Sequence, residues 1–247
     1  MCVTPGTCLA VRGGAGGDRL TSAAYFDVDG TLVGTSLVHP AAYFLANQAS
    51  IGRSALRLGR ALAGAPAMAW AEVRDRRLFN ELLFSHYAGM SEDRVMVLAE
   101  EVFDEVIAPR IYPGTPDLVR KCKAAGQRVV FITGSLDVTM QRLAKELGAD
   151  HVIANRLEFK SRRATGKLVR PVVAGPTKAR LISDDAREHG HDLAECFGYS
   201  DSYSDVPMLS VVGHPYCVHP DAKLARLARA YQWPILDLKR AARHPSP

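Results

Sequence analysis

Residues 23–34 read AAYFDVDGTLVG. The apolar run Ala23 to Phe26 has the length and aromatic content of a buried strand. It delivers two carboxylates, Asp27 and Asp29, one residue apart, and Gly30-Thr31 follows. Like charges brought this close repel, and one is pushed towards its neutral form. Something must offset that cost or exploit it.

Outward from this stretch, further runs of the same kind appear. RVVFITGS at 128–135, CFGYSD at 196–201, PYCVHP at 215–220 and PILDL at 234–238 read as strands. HVIANRLEF at 151–159 reads as one more, continuing into a hairpin around Gly166. Helical patterns lie between them. One spans 115–126, with Thr115 as N-cap, Pro116 in the first turn and Gly126 as the stop. Another, 136–147, places Leu136, Met140, Leu143 and Leu147 on one face and ends at Gly148. Residues 177–189 and 221–231 also read as helices. Strands alternating with helices predict an α/β fold, a doubly wound, Rossmann-like parallel sheet covered on both faces. Ligands of such sheets bind beyond the carboxyl ends of the strands. Asp27, Thr133 and Asp201 each end a predicted strand, so the fold brings them together.

Between about Leu32 and Tyr112 no strong strand pattern appears. Residues 41–48, 51–64, 70–84 and 91–107 all read as helices. The chain therefore divides into a loose tail (1–21), a core domain (22–32 and 113–240) and an all-helical cap (33–112) inserted after the first strand.

With 47% apolar and 23% charged residues, the 247-residue chain has the balance of a globular protein with a sizeable core. Its five cysteines are scattered and form no CxxC pair, which argues against a disulfide framework or structural zinc and for a reducing, cytoplasmic setting. No stretch approaches the roughly 20 apolar residues of a membrane span. Net charge is +5 and the pI about 9.0, which suits an anionic substrate, a membrane surface or nucleic acid. No aromatic-basic interleaving or helix-turn-helix pattern supports nucleic acid, and none is expected as a partner.

An ionised Asp can attack phosphorus and become an aspartyl phosphate. A second Asp, held neutral, can protonate the leaving oxygen and later deprotonate water. Magnesium takes hard oxygen ligands and neutralises crowded carboxylates. GYSDSYSD at 198–205 supplies two more, Asp201 and Asp205, although Asp205 equally suits a helix cap. Thr133 and the backbone N–H groups after it suit phosphoryl oxygens. Lys178, at a helix start, suits charge balance; Lys167, beside the hairpin turn, competes with it. Ser135 and Ser204 suit either a contact with phosphate or site water or, as turn hydroxyls more often do, local caps. His151, His214 and His219 show no metal-ligand spacing.

The order DxDGT at 27–31, an apolar run ending in Thr133, then Lys178, then the D-x3-D pair 201/205 resembles the haloacid dehalogenase superfamily. The helical insert directly after the first motif resembles the phosphoserine phosphatase branch, subfamily IB. The resemblance spans about residues 22 to 238. It implies that Asp27 is the nucleophile and a magnesium ligand. Asp29 is implied as general acid and base, with its carbonyl on the metal. Thr133 and the Gly134 N–H would hold phosphoryl oxygens, Lys178 would balance charge, Asp201 would ligate magnesium, and Asp205 would ligate it or orient its waters. The implied activity is Mg2+-dependent hydrolysis of a small-molecule phosphomonoester, a metabolite or a lipid-derived phosphate. Phosphoserine phosphatase proper, a phosphotransferase and a catalytically weak phospho-ligand sensor stay open as alternatives. Phosphoserine phosphatases carry an acidic residue near the cap to meet the substrate ammonium. Here no Asp or Glu lies between Asp29 and Glu72, and Ser36 stands at the corresponding place. Instead Arg53, Arg57 and Arg60, at spacings of four and three, share one helical face. That stripe reads as a basic solvent side, or as a contact for a second anionic group or an anionic lipid surface. The oligomeric state is open.

Overall fold

The computed structural model describes residues 22–47, 59, 63–71 and 74–240. The tail 1–21 and the stripe Arg53, Arg57 and Arg60 lie outside the described residues.

Strand β1 (Ser22–Phe26) is buried at all five positions. Its alternating residues enter two cores: Ala24 and Phe26 face one, Ala23 and Tyr25 the other. A strand covered on both faces reads as an unbroken apolar run, which is why this one shows no alternation. The other main strands are β2 (Gln127–Leu136) and β3 (His151–Asn155). A short antiparallel pair follows, β4 (Leu157–Lys160) with β5 (Arg163–Leu168). Then come β6 (Phe197–Ser200), β7 (His214–Val218) and β8 (Ile235–Leu236). The six-stranded sheet has the order β3-β2-β1-β6-β7-β8, and every pairing in it is parallel.

The helices of the insert are α1 (Val38–Ala46), α2 (Arg76–Ser85) and α3 (Glu92–Val102), with helical residues 63–71 between the first two. The later ones are α4 (Thr115–Ala124), α5 (Asp137–Leu147), α6 (Pro176–His189), α7 (Val206–Ser210) and α8 (Ala222–Tyr231). The fold is α/β and doubly wound, as expected. No helix among the described residues is long and apolar enough to cross a membrane. Cys122, Cys196 and Cys217 are buried and form no disulfide.

Five local differences from the expected elements have physical causes. The hairpin expected around Gly166 turns instead at Ser161 and Arg162, whose positive φ values (48° and 58°) close a two-residue turn, and Gly166 lies within β5. The strand expected over 151–159 is two strands. The Asn155 side chain donates to the Gly134 carbonyl (2.8 Å) and accepts from the Val173 N–H (2.8 Å), so β3 stops there and Leu157 starts the separate pair. The helix expected over 70–84 is interrupted at Asp75, which is extended (φ −156°) and caps α2 by accepting from the Arg77 N–H. The helix expected over 91–107 ends at Val102, continues as a π turn Phe103–Ile107 and closes as a 3-10 turn Ala108–Arg110 containing Pro109. Thr115 does not cap α4. Its hydroxyl donates to the Leu32 carbonyl (2.7 Å), tying the helix start to the loop after β1, and Gly114 takes the cap position.

The two chain segments that connect the insert run side by side. Val33 bridges Ile111, the Gly34 N–H donates to the Arg110 carbonyl (2.7 Å), and the Tyr112 N–H to the Leu32 carbonyl (3.1 Å). A third connection comes from the β4–β5 hairpin. The Gly89 N–H donates to the Ala164 carbonyl (2.8 Å), the Ala164 N–H to the Met90 carbonyl (2.8 Å) and the Glu92 N–H to the Arg162 carbonyl (3.0 Å). Arg162–Asp93 and Arg170–Glu81 ion pairs flank that seam.

Candidate active site

Asp27 leaves the carboxyl end of β1, its N–H donating to the Tyr199 carbonyl of β6 (2.9 Å). Lys178, in the first turn of α6, donates to Asp27 Oδ1 (2.7 Å) and Asp205 Oδ2 (2.8 Å), and all three side chains are buried. Ser200 Oγ donates to the same oxygen of Asp205 (2.8 Å). The Asp205 carboxylate is thus turned into the site, and it makes no capping bond to α7. Thr31 Oγ1 lies 3.0 Å from Asp201 Oδ1 and 3.4 Å from Asp27 Oδ2, so one hydroxyl reaches both carboxylates. Gly30 makes this approach possible. Its φ is +84°, and a Cβ there would stand 2.2 Å from Asp201 Oδ2.

Asp29 stands in different surroundings. Thr35 Oγ1 donates to its Oδ1 (2.7 Å), Ser135 Oγ to its Oδ2 (2.7 Å), and Thr133 Oγ1 lies 3.4 Å from Oδ2. Thr133 also accepts from the Ser135 N–H (3.0 Å), within the stretch of β2 where its pairing with β3 shifts register.

Burial pushes the Asp27 carboxyl up to about 8; Lys178 opposes the rise, while Asp205 and Asp201 add to it. Burial likewise pushes Asp201 up to about 6, with Asp205 adding and the Thr31 hydroxyl opposing. For Lys178, burial favours the neutral amine, but Asp205 and Asp27 outweigh it and raise its pKa. A carboxyl raised in the fold binds more protons folded than unfolded, so its contribution to stability falls as pH rises. The metal-free protein is therefore expected to melt at progressively lower temperature from pH 5 to pH 8. Saturating magnesium, which favours the ionised carboxylates, is expected to flatten that slope. Thermal denaturation in EDTA and in magnesium reads the difference; parallel slopes would refute it.

Among the described residues, no three His, Cys, Asp or Glu side chains form a ready-made metal cage. Magnesium does not need one: it is commonly held by one or two carboxylates, with water and substrate phosphate completing the shell. Asp27 and Asp201, brought together at Thr31, suit it, and their excess negative charge favours a divalent cation.

All seven residues singled out in the sequence, Asp27, Asp29, Thr133, Gly134, Lys178, Asp201 and Asp205, line one cleft of about 380 Å3. Lys167 is exposed and does not line it, and neither do His151, His214 and His219. Ser204 pairs with Ser202 (2.9 Å) within its turn and also lines the cleft. Ser135 departs from the expectation of a local cap, because its hydroxyl holds Asp29. The sequence reading also passed over Thr31, Thr35 and Ser200, and over Arg76 and Asn80 of α2, which line the insert side of the cleft. Thr31 and Ser200 are flanked by motif aspartates, a usable signal; Asn80 and Thr35 carry none.

The family model for haloacid dehalogenase-like hydrolases matches residues 24–210, from β1 through α7. The chain is a haloacid dehalogenase-like hydrolase. This hydrolase is 36% identical over 231 residues to phosphoserine phosphatase SerB1 of Mycobacterium tuberculosis, covering 91% of the present chain and 75% of the relative. Its structure is similar to that of a Bordetella pertussis Tohama I protein of unknown function. The TM-score is 0.75 at 25% identity, over 90% of this chain and all (100%) of that one. It also shares the fold of a phosphoserine phosphatase captured as a phospho-aspartyl intermediate analogue (TM-score 0.65, 17% identity, 89% and 94% covered). The hydrolase is a phosphatase of the phosphoserine phosphatase-like branch.

Proposed function

We propose that this phosphatase hydrolyses a small phosphomonoester through an aspartyl phosphate on Asp27, with magnesium as cofactor. The observation that carries the reading is the unlike setting of two carboxyls from one turn. Asp27 is buried against the Lys178 ammonium, and Asp29 is ringed by hydroxyls. Paired carboxyls in different environments take different roles. Asp27 attacks phosphorus while the bond from phosphorus to the leaving oxygen breaks. Asp29 gives that oxygen its proton. In the second step Asp29 takes a proton from water, the water oxygen bonds to phosphorus, and the bond to Asp27 breaks. Hydroxyls donate to a carboxylate and accept from a carboxylic acid, so Thr35 and Ser135 hold Asp29 in both protonation states. Thr133 and the Gly134 N–H bind the phosphoryl oxygens, and Lys178 balances their charge. Asp27 and Asp201 would hold the metal with the Asp29 carbonyl, and Asp205 through water. Bound magnesium supplies the positive charge that keeps Asp27 and Asp201 ionised and polarises the phosphoryl group.

The cleft also bears on the leaving group. Its volume suits a small metabolite. Its carboxylates are Asp27, Asp29, Asp201, Asp205 and Asp221; among the described residues, α1 and α2 contribute none. The insert side offers Ser36, Arg76 and Asn80. Among the described residues a substrate ammonium finds no counter-charge on that side, so the favoured leaving group is neutral or anionic. Asn80 is 1% exposed, and its Oδ1 has no hydrogen-bond donor among the described residues.

Phosphate release from phosphoserine, phosphoglycerate, glycerol phosphate and sugar phosphates tests this. Substrates with neutral or anionic leaving groups are expected to exceed phosphoserine in kcat/KM by about tenfold or more, the worth of one good polar contact. A preference for phosphoserine would overturn the leaving-group assignment and leave the chemistry standing.

A further inference from the structure

Helical residues 63–71 read AGAPAMAWA, without a charged side chain. The segment lies alongside α2. The Ala71 carbonyl accepts from the Asp75 N–H (2.8 Å), and a Cβ on Gly64 would lie 3.8 Å from His86 Nε2 at the far end of α2. Gly64, Met68 and Ala71, spaced four and three, face the protein; Ala71 is fully buried and Met68 packs against the main core. The remaining positions, Ala63, Ala65, Pro66, Ala67, Ala69 and Trp70, are all exposed. Trp70 is 58% exposed.

This reverses the usual pattern. The outward side of a surface helix ordinarily carries charged and polar residues. Single exposed apolar side chains are ordinary, whereas a contiguous exposed run marks a contact surface. The charge around the run indicates which contact. The Arg74 guanidinium is exposed and lies over the Trp70 ring, 5.5 Å from its centroid. Along the chain, the acid-free interval from Asp29 to Glu72 also carries Arg53, Arg57 and Arg60. A two-fold dimer would set this patch against itself and bring Arg74 towards its own copy. An anionic surface avoids that repulsion. Tryptophan favours the water–lipid boundary, where the ring is in an apolar layer and the indole N–H stays hydrogen-bonded. Arg74 beside it can meet anionic headgroups.

We propose that the outer face of residues 63–71, with Trp70 and Arg74, seats this phosphatase on an anionic lipid surface. The surface is separate from the chemistry at Asp27 and does not depend on the substrate assigned above.

The test uses the full chain in a Trp233→Phe background, which leaves Trp70 as the sole tryptophan. Vesicles of phosphatidylcholine alone, and with phosphatidylglycerol, are sedimented with the protein and titrated while emission is recorded. Binding is expected to be at least tenfold tighter to the phosphatidylglycerol vesicles, with a blue shift of Trp70 emission. Trp70→Glu and Arg74→Glu are each expected to weaken binding at least tenfold while hydrolysis of a soluble substrate is unchanged. Equal affinity for both vesicles, no sedimentation, or unaltered binding by Trp70→Glu would overturn the proposal. So would a dimer in light scattering that Trp70→Glu dissolves, with Trp70 emission already blue-shifted in the absence of vesicles.

Discussion

Asp27→Asn is expected to cut phosphate release by at least about a thousandfold, the scale seen when a catalytic nucleophile is removed, without unfolding the protein. An amide of the same shape cannot attack phosphorus. Its effect on stability follows from the surroundings of Asp27. The substitution removes a buried carboxyl whose ionisation is resisted by burial and by Asp205 and Asp201. It leaves Lys178 its second partner, Asp205, at 2.8 Å. In EDTA at pH 8 the variant should therefore melt no lower than the parent. Its slope of melting temperature against pH should be shallower, because one of the upward-shifted carboxyls of the site is gone. Phosphate release and thermal denaturation on the same preparation check both statements. Activity within a factor of ten of the parent would remove Asp27 from the chemistry.

Lys178→Met has the opposite effect on stability. Lys178 is 5% exposed and is the cation between Asp27 and Asp205. Removing one member of a buried ion pair leaves its partner uncompensated, at a cost of about 3–5 kcal/mol. In a chain of this size that lowers the melting temperature by about 10 °C. The loss should be largest at high pH and shrink towards pH 5, where the stranded carboxyls take up protons. Magnesium should recover part of the stability, since it also brings positive charge to Asp27. It should not recover turnover, which is expected to fall at least about a hundredfold, as it does when a preorganised charge at a reacting group is lost. Lys178→Arg should not rescue either property. A planar guanidinium does not occupy the place of a compact ammonium enclosed by two carboxylates. Parental melting and parental activity in Lys178→Met would refute this account of the buried cation.

What the sequence made legible was local. The run Ala23 to Phe26 and the aspartates after it are adjacent in the chain, and a strand buried on both faces must be apolar throughout. Lys178 stood out because it opens a helix, as the structure shows; Lys167, expected beside a hairpin turn, lies instead within β5, exposed and away from the cleft. What stayed hidden depends on distant partners. Apolar residues continue past Asn155, and β3 ends there because of the Gly134 carbonyl and the Val173 N–H, about twenty residues away on either side. The hydroxyls around Asp29 come from Thr35, Thr133 and Ser135, on segments a hundred residues apart that meet only in the fold. The break at Asp75 was different. Its signal is local, an aspartate accepting from the N–H two residues on, but the helical pattern continuing on both sides masked it.

The hairpin seam gives the helical insert a mechanical role. Strand β5 leads through residues 169–175 into α6, and Val173, Ala174 and Gly175 on that path line the cleft. The first turn of α6 carries Lys178. The insert grips the other end of the same path at Gly89, Met90 and Glu92. Insert, hairpin and buried lysine are therefore links in series, and a displacement of the helices over the cleft is also a tug on the strut that seats the ammonium. Access to the nucleophile and the charge that steadies it share one lever.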